Sequence, residues 1–320
     1  MRRSGSCGAA VRYMALVFTI LVSCSTAPKA PDAVYDTRNK AAEFAKLGDG
    51  FLAKGQYVQA LQYYQDALTA DSSVDDVEAV AASHASIGRA YLASGDLEAA
   101  EAEYEASRDY ARMAGSGKAG SAAAAGLGEI AYAKGDEAGA LTLFVEAVRL
   151  AGKDERALAV AQHDRGVAEA ALGRVDDALR DFRAAEAINL KVKRWSELGA
   201  NRYALASALA GRGRNAEALV AAQGALDADK RAENARAMSG DLAAAAGLYG
   251  KLGQNDEAWD YWRRSFDSAM ATDQPTGVRK ALVALVDLSG KLGKDDEGTR
   301  YAALLAKLDE AEKKAKAPGN

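Results

Sequence analysis

The sequence predicts an all-α protein, a solenoid built from about seven two-helix repeats. Three observations carry this. Glycine recurs at Gly55, Gly95, Gly135, Gly173, Gly213, Gly253 and Gly293, spaced 40, 40, 38, 40, 40 and 40 residues. A fixed period in the range of about 20–50 residues marks stacked repeats that contact only their neighbours. Thr37 to Asp273 contains no proline, and the surrounding sequence is rich in Ala, Glu and Leu. Strands would want β-branched and aromatic residues instead, and aromatics make up only 7% of the 320 residues.

The first element is a targeting segment, residues 1–23. Arg2, Arg3 and Arg12 flank the apolar run Tyr13–Val22, which is too short to span a bilayer. The run passes into "LVSC" (Leu21–Cys24), which resembles a bacterial lipobox: an aliphatic residue, small residues, then cysteine. That resemblance implies cleavage before Cys24 and acylation of its thiol. Cys7 would leave with the signal, so Cys24 would remain alone and form no internal disulfide. Removing the three arginines leaves 38 basic against 45 acidic residues, a net charge of −7. An acidic chain argues against nucleic acid or anionic lipid as the main partner. Acyl chains would then hold the protein at a membrane. Residues 24–36, with Pro28 and Pro31 among small polar residues, read as the acylated cysteine and an extended tether. Ser25 follows the cysteine where an aspartate would direct inner-membrane retention. By resemblance this places the protein outside the cytoplasm, at the outer membrane where the organism has one.

Residues 37–315 hold the repeats. In "YLASGDLEAAEAEYEA" (Tyr91–Ala106) Gly95 interrupts an otherwise helical run. Glycine takes the left-handed conformation that ends a helix without a Cβ penalty, so Gly95 closes one helix and opens the next. Acidic residues often follow (Asp96, Asp136, Asp256, Asp295), where they can cap the next helix and oppose its dipole. Other positions keep the beat. Seven residues before the glycine stand Gly48, Gly88, Gly128, Gly166, Ala206 and Ala246; five after it, Ala60, Ala100, Ala140, Ala178, Ala218 and Ala258. Nine after it stand Tyr64, Tyr104, Phe144, Phe182, Ala222 and Trp262. Small residues let paired helices approach, and the aromatic fills the space above them. This pattern resembles the tetratricopeptide repeat (TPR): "LGDGFLAKGQYVQALQYYQDA" (Leu47–Ala67) matches nearly the whole family signature. The period is longer than the family's common 34, so the helices or the inter-repeat turns must be longer. The seventh repeat departs from the pattern at Val286, Gly298 and Ala302, as a terminal unit should. Residues 316–320 read as a frayed tail.

No catalytic, metal or cofactor site is legible. The two histidines share no register: His84 aligns with Phe44, a packing position, and His163 falls one place out of frame. They do not make a zinc site. "GSGKAGS" (Gly115–Ser121) lacks the first glycine of a phosphate loop, and Ala119 follows its lysine.

By the family resemblance the first helix of each repeat lines a concave groove. Leu52, Leu92 and Tyr132 then face it, with Arg89, Glu129, His163 and Tyr203 on neighbouring rows; the other reading of Leu52 and Leu92 is that they pack between adjacent repeats. Such a groove would take an extended peptide or a partner's helix. The Lys/Asn clamp that some family members use for a C-terminal carboxylate is missing: its places hold Ala42, Ala45, Asp49 and Ala82, Ala85, Arg89. Trp195 is a candidate exposed anchor. The expected role is a membrane-anchored scaffold for protein or peptide partners, of unspecified oligomeric state; the alternative is a solute-handling subunit associated with a transporter, enclosing a small apolar ligand.

Overall fold

A computed structural model describes residues 31–316, so Cys24, the signal segment and the last four residues lie outside the described residues. The described residues form fourteen helices: α1 (Pro31–Leu52), α2 (Tyr57–Ser72), α3 (Val77–Ser94), α4 (Leu97–Ala114), α5 (Gly117–Ala133), α6 (Glu137–Ala151), α7 (Glu155–Ala171), α8 (Val175–Lys191), α9 (Trp195–Gly211), α10 (Asn215–Arg231), α11 (Ala235–Lys251), α12 (Asn255–Ala271), α13 (Pro275–Leu292) and α14 (Asp295–Lys316). They pair in sequence into seven helix–turn–helix units, a TPR-like α-solenoid. Helix α1 begins at Pro31, so six residues of the segment read as an extended tether are helical. A proline loses nothing at the first helical position, where its missing N–H has no partner in any case, and Asp32 complements the dipole in the first turn.

All seven periodic glycines have positive φ, from 66° to 88°. At Gly95 the turn closes with the Asp96 N–H donating to the Tyr91 carbonyl at 3.0 Å. This six-residue bond satisfies a carbonyl that the helix end would leave bare. Turns are only two to four residues long, so the extra length over the common repeat lies in the helices, half of which have 17 residues. The single 38-residue spacing arises in α6, which has 15. The capping expectation holds for Asp96 and Asp136, whose carboxylates accept from the N–H groups of Ala99 and Gly139. Asp256 and Asp295 instead lie within the first turns of α12 and α14, where they act on the dipole.

The core follows the beat of the sequence. The alanines five residues after each glycine, Ala60 through Ala258, are all fully buried. A methyl group added at Gly48 would come within 2.5 Å of the Tyr64 ring, at Gly128 within 2.5 Å of Phe144, and at Gly166 within 2.7 Å of Phe182. Each glycine is therefore the seat of its repeat's aromatic ring. Trp259 and Trp262 are buried in the C-terminal core, and Tyr301 meets Trp259 edge-on at 5.7 Å to tie the last helix in. His84 is not plain packing: its Nδ1 lies 2.7 Å from Glu103 Oε2 and its ring stacks on Tyr110.

Odd-numbered helices touch their odd-numbered neighbours, whereas no even-numbered helix reaches the next even one. The stack therefore curves with the odd helices inside. Approach is tightest around α5, whose sequence "GKAGSAAAAGLGEIAYA" offers almost no side-chain bulk and is buried on most sides.

Candidate functional site

Two cavities open onto this concave wall. The first, about 540 Å³, lies between α3 and α5 with Val160 of α7 at its edge. Small side chains (Ala82, Ala85, Ala122, Gly126) make the space, and a polar string runs along it. Asp49, Arg89 and Glu129 occupy the same position in three successive repeats, 40 residues apart. Tyr64 Oη donates to Asp49 Oδ1 at 2.7 Å, and Arg89 Nη2 donates to that oxygen at 2.5 Å and to Tyr64 Oη at 3.1 Å. Burial and the acceptor Asp49 push the Tyr64 phenol up to about 12. Further along, the groove walls desolvate Glu129 and raise its carboxyl, against the pull of Arg89. Asp164 is raised well above the usual carboxylate range by burial and then by Glu129, and its Oδ2 is shut off from solvent with no hydrogen-bond partner.

The second cavity, about 560 Å³, is bounded by α7, α9, α11 and the turn into α13. Behind the wall formed by His163 runs a hydrogen-bonded chain: Asn189 Nδ2 donates to Asn201 Oδ1 at 2.6 Å, and Asn201 Nδ2 donates to His163 Nδ1 at 2.9 Å. This bond makes His163 Nδ1 an acceptor, in keeping with burial lowering its pKa. The floor carries Asp229 and Asp241, each 2% exposed and in side-chain contact with one another. Burial and the neighbouring Asp229 raise Asp241 to about 8. Asn234 Nδ2 donates to Asp229 Oδ1 at 3.1 Å. Asp241 Oδ2 has no partner. Gly199 makes room for the pair, since a Cβ there would lie 2.4 Å from Asp229 Oδ2.

The two acids belong to a position that recurs at repeat boundaries. Asp71 and Ser83 meet there between the first two repeats, with Ser83 Oγ donating to Asp71 Oδ2 at 2.8 Å. Asn189 and Asn201 meet between the fourth and fifth, and Asp229 and Asp241 between the fifth and sixth. Each pair is 12 residues apart in sequence, and the same register at the second boundary and the last holds Ala111 with Ala123 and Ala269 with Ala281.

The sequence-predicted positions separate into two groups. Arg89 and Glu129 line the first cavity, and His163 and Tyr203 the second. Tyr132 sits with Glu129 and Asp164 at a small recess between the two. Leu52 and Leu92 line neither: both pack into apolar clusters between adjacent repeats, Leu52 against Tyr64 and Ile87, Leu92 against Tyr104 and Leu127. Trp195 is not a free anchor, because it is half-buried and the Arg231 guanidinium covers its ring at 4.8 Å. Asp164, Asn201, Asp229 and Asp241 were not singled out from sequence. Among the described residues no three His, Cys, Asp or Glu side chains are grouped to hold a metal ion, and no helix is long and apolar enough to cross a membrane.

Residues 40–113, which cover most of α1, all of α2 and α3 and all but the last residue of α4, match the tetratricopeptide repeat family model. No curated protein matches the sequence. Solved structures share the fold at low identity. A signal transduction ATPase with numerous domains and a tetratricopeptide repeat sensor, from Pyrococcus horikoshii, superposes with a TM-score of 0.62 at 14% identity, over 88% of this chain. The chain spans 45% of that protein's length. Aspartyl phosphate phosphatase F from Bacillus subtilis gives 0.58 at 12% identity, over 87% of this chain and 72% of its own. A Rap protein complexed with competence and sporulation factor gives 0.58 at 14%, over 86% and 76%.

Proposed function

We propose that this chain, whose first two repeats are tetratricopeptide repeats, is a non-enzymatic scaffold that holds partner proteins or peptides in its concave groove and is tethered to a membrane through an acylated Cys24. The observation that carries the groove reading is the pair of cavities on the inner wall, roofed by nothing and floored by small side chains, with an unpartnered carboxyl oxygen of Asp241 in the second and one of Asp164 in the recess between them. Buried polar atoms normally find partners, and a segment laid along the odd-numbered helices would supply them. The solute-handling alternative calls for a hole enclosed by helices; the cavities are open slots, which favours the scaffold. The Rap protein solved with competence and sporulation factor is a precedent for this fold holding a partner.

A photo-crosslinking residue at Tyr203, in the groove, tests the reading against one at Val220, 70% exposed on α10 of the outer layer. In cells, crosslinks to discrete partners are expected from position 203 and not from 220; equal labelling from both would remove the groove from the account. The anchor is tested separately. Cys24→Ala should move the protein from the membrane pellet to the soluble fraction, and unchanged fractionation would leave no role for the lipid. The expected location is outside the cytoplasm, on the periplasmic face of an outer membrane where there is one.

A further inference from the structure

We infer that the second cavity is a lysine subsite: it receives the ammonium head of a lysine side chain from an extended partner segment, which lodges against Asp229 and Asp241. The inference rests on the groove reading above and names the chemistry of its occupant. Four observations carry it. Asp241 is 98% buried by its 2% exposure, its Oδ2 has no partner, and it forms part of the cavity floor. The acid pair is not required for packing, because the equivalent boundary one repeat earlier is filled by the neutral pair Asn189 and Asn201, and the last boundary by two alanines. Gly240 lines the same cavity beside Asp241, and an added Cβ there would touch nothing within 4 Å. Finally, Tyr203 stands 43% exposed at the rim, and Ala200, Ala204 and Ala237 give an apolar lining along which a four-carbon stem can lie.

A lysine head suits this site better than the alternatives. It is a compact charge with three donors on a flexible stem, whereas guanidinium is a rigid planar fork. Two carboxylates alone are too few ligands for a hard divalent cation. Two carboxyls in contact in a buried site share a proton. The arriving ammonium takes that proton's place between them, and the proton passes to solvent. Besides the pair, the titratable or charged groups lining the cavity are His163 from α7, neutral because it accepts from Asn201, the Tyr203 phenol from α9 at the rim, and Arg236 from α11, exposed at the rim where water and salt screen it.

The full chain in detergent is titrated with acetyl-Ala-Ala-Lys-Ala-Ala-amide, its Gln and Arg counterparts, and free cadaverine, by calorimetry in buffers of different ionisation enthalpy. The lysine peptide is expected to bind at least tenfold tighter than the glutamine peptide. It should release protons on binding and tighten as pH rises from 6 to 9. Asp241→Asn should abolish both the preference and the proton release. Should that variant change the fold, Gly240→Leu narrows the slot while leaving both acids in place and should weaken binding of the lysine peptide at least tenfold. Equal binding of the lysine and glutamine peptides overturns the inference, as does lysine binding undiminished in Asp241→Asn. Tighter binding of the arginine peptide overturns the choice of lysine, and tighter binding of cadaverine the choice of a peptide. If the lysine peptide fails while position 203 still crosslinks partners, the subsite falls and the groove stands; if both fail, both fall.

Discussion

Asp241→Asn is expected to raise the melting temperature above neutral pH and to flatten its dependence on pH. In the unfolded chain an aspartate titrates near 3.9; in the folded protein Asp241 is raised to about 8 by burial and by Asp229. Between those values the folded state holds more protons than the unfolded one, so stability is fully present below about pH 4 and is lost as pH climbs to about 8. Above that, both states are ionised and the loss levels off. Asp71, Glu129, Asp164 and Glu169 are raised by burial as well, and they tilt stability in the same direction. The asparagine variant should therefore keep a shallower slope rather than none. An amide can donate to Asp229 without carrying charge, and Asn189 with Asn201 shows that this position accommodates amides. Melting curves from pH 4 to 9 check this; parallel curves for the two proteins would mean that Asp241 does not hold a proton through neutrality.

Phe144→Ala is the second large effect. The ring is 2% exposed and rests over Gly128, so its removal leaves a void that the α5–α6 pair cannot close. Loss of a buried phenylalanine costs about 3–5 kcal/mol. Gly128→Ala alone should also destabilise, by about 1–3 kcal/mol, because its methyl would press on the ring from 2.5 Å. The two together should cost less than their sum, since the added methyl then enters the space the ring vacated. Urea denaturation of the two single variants and the double variant measures the coupling. Strict additivity would separate the glycine from the ring and break the packing scheme of every repeat that shares it.

Much of the fold was legible because its punctuation is covalently encoded. A glycine that must sit at positive φ leaves a visible mark every 40 residues, and the ring above Gly48, Gly88, Gly128 or Gly166 leaves another. Four of the six turns between repeats left none; the other two carry Gly115 and Gly152 off the 40-residue beat. Asp75, Lys193, Glu233 and Asp273 have φ between 50° and 57°, and residues of those types do not announce a left-handed turn. Tertiary packing holds them there at a cost of about 1–2 kcal/mol each. The groove was only partly legible for a related reason. A 40-residue beat says that Leu52 and Leu92 are equivalent, not which way they face, and they point between repeats. Tyr132 is the third member of that row and lies 38% exposed beside the recess with Glu129. The acid pair of the second cavity could be read only by comparing positions 12 residues apart across boundaries, since Asp229 and Asp241 look like ordinary surface acids on their own helices.

The asymmetry between inner and outer layers has a mechanical consequence. Because the outer helices never meet one another, little resists a change in curvature except the inner contacts and the short turns. The molecule should behave as a leaf spring, stiff within each blade and compliant between blades. A tug along its length should widen or narrow the inner channel before it breaks any helical hydrogen bond. The channel is narrowest at the alanine-rich waist around α5, where neighbouring blades already lie closest together.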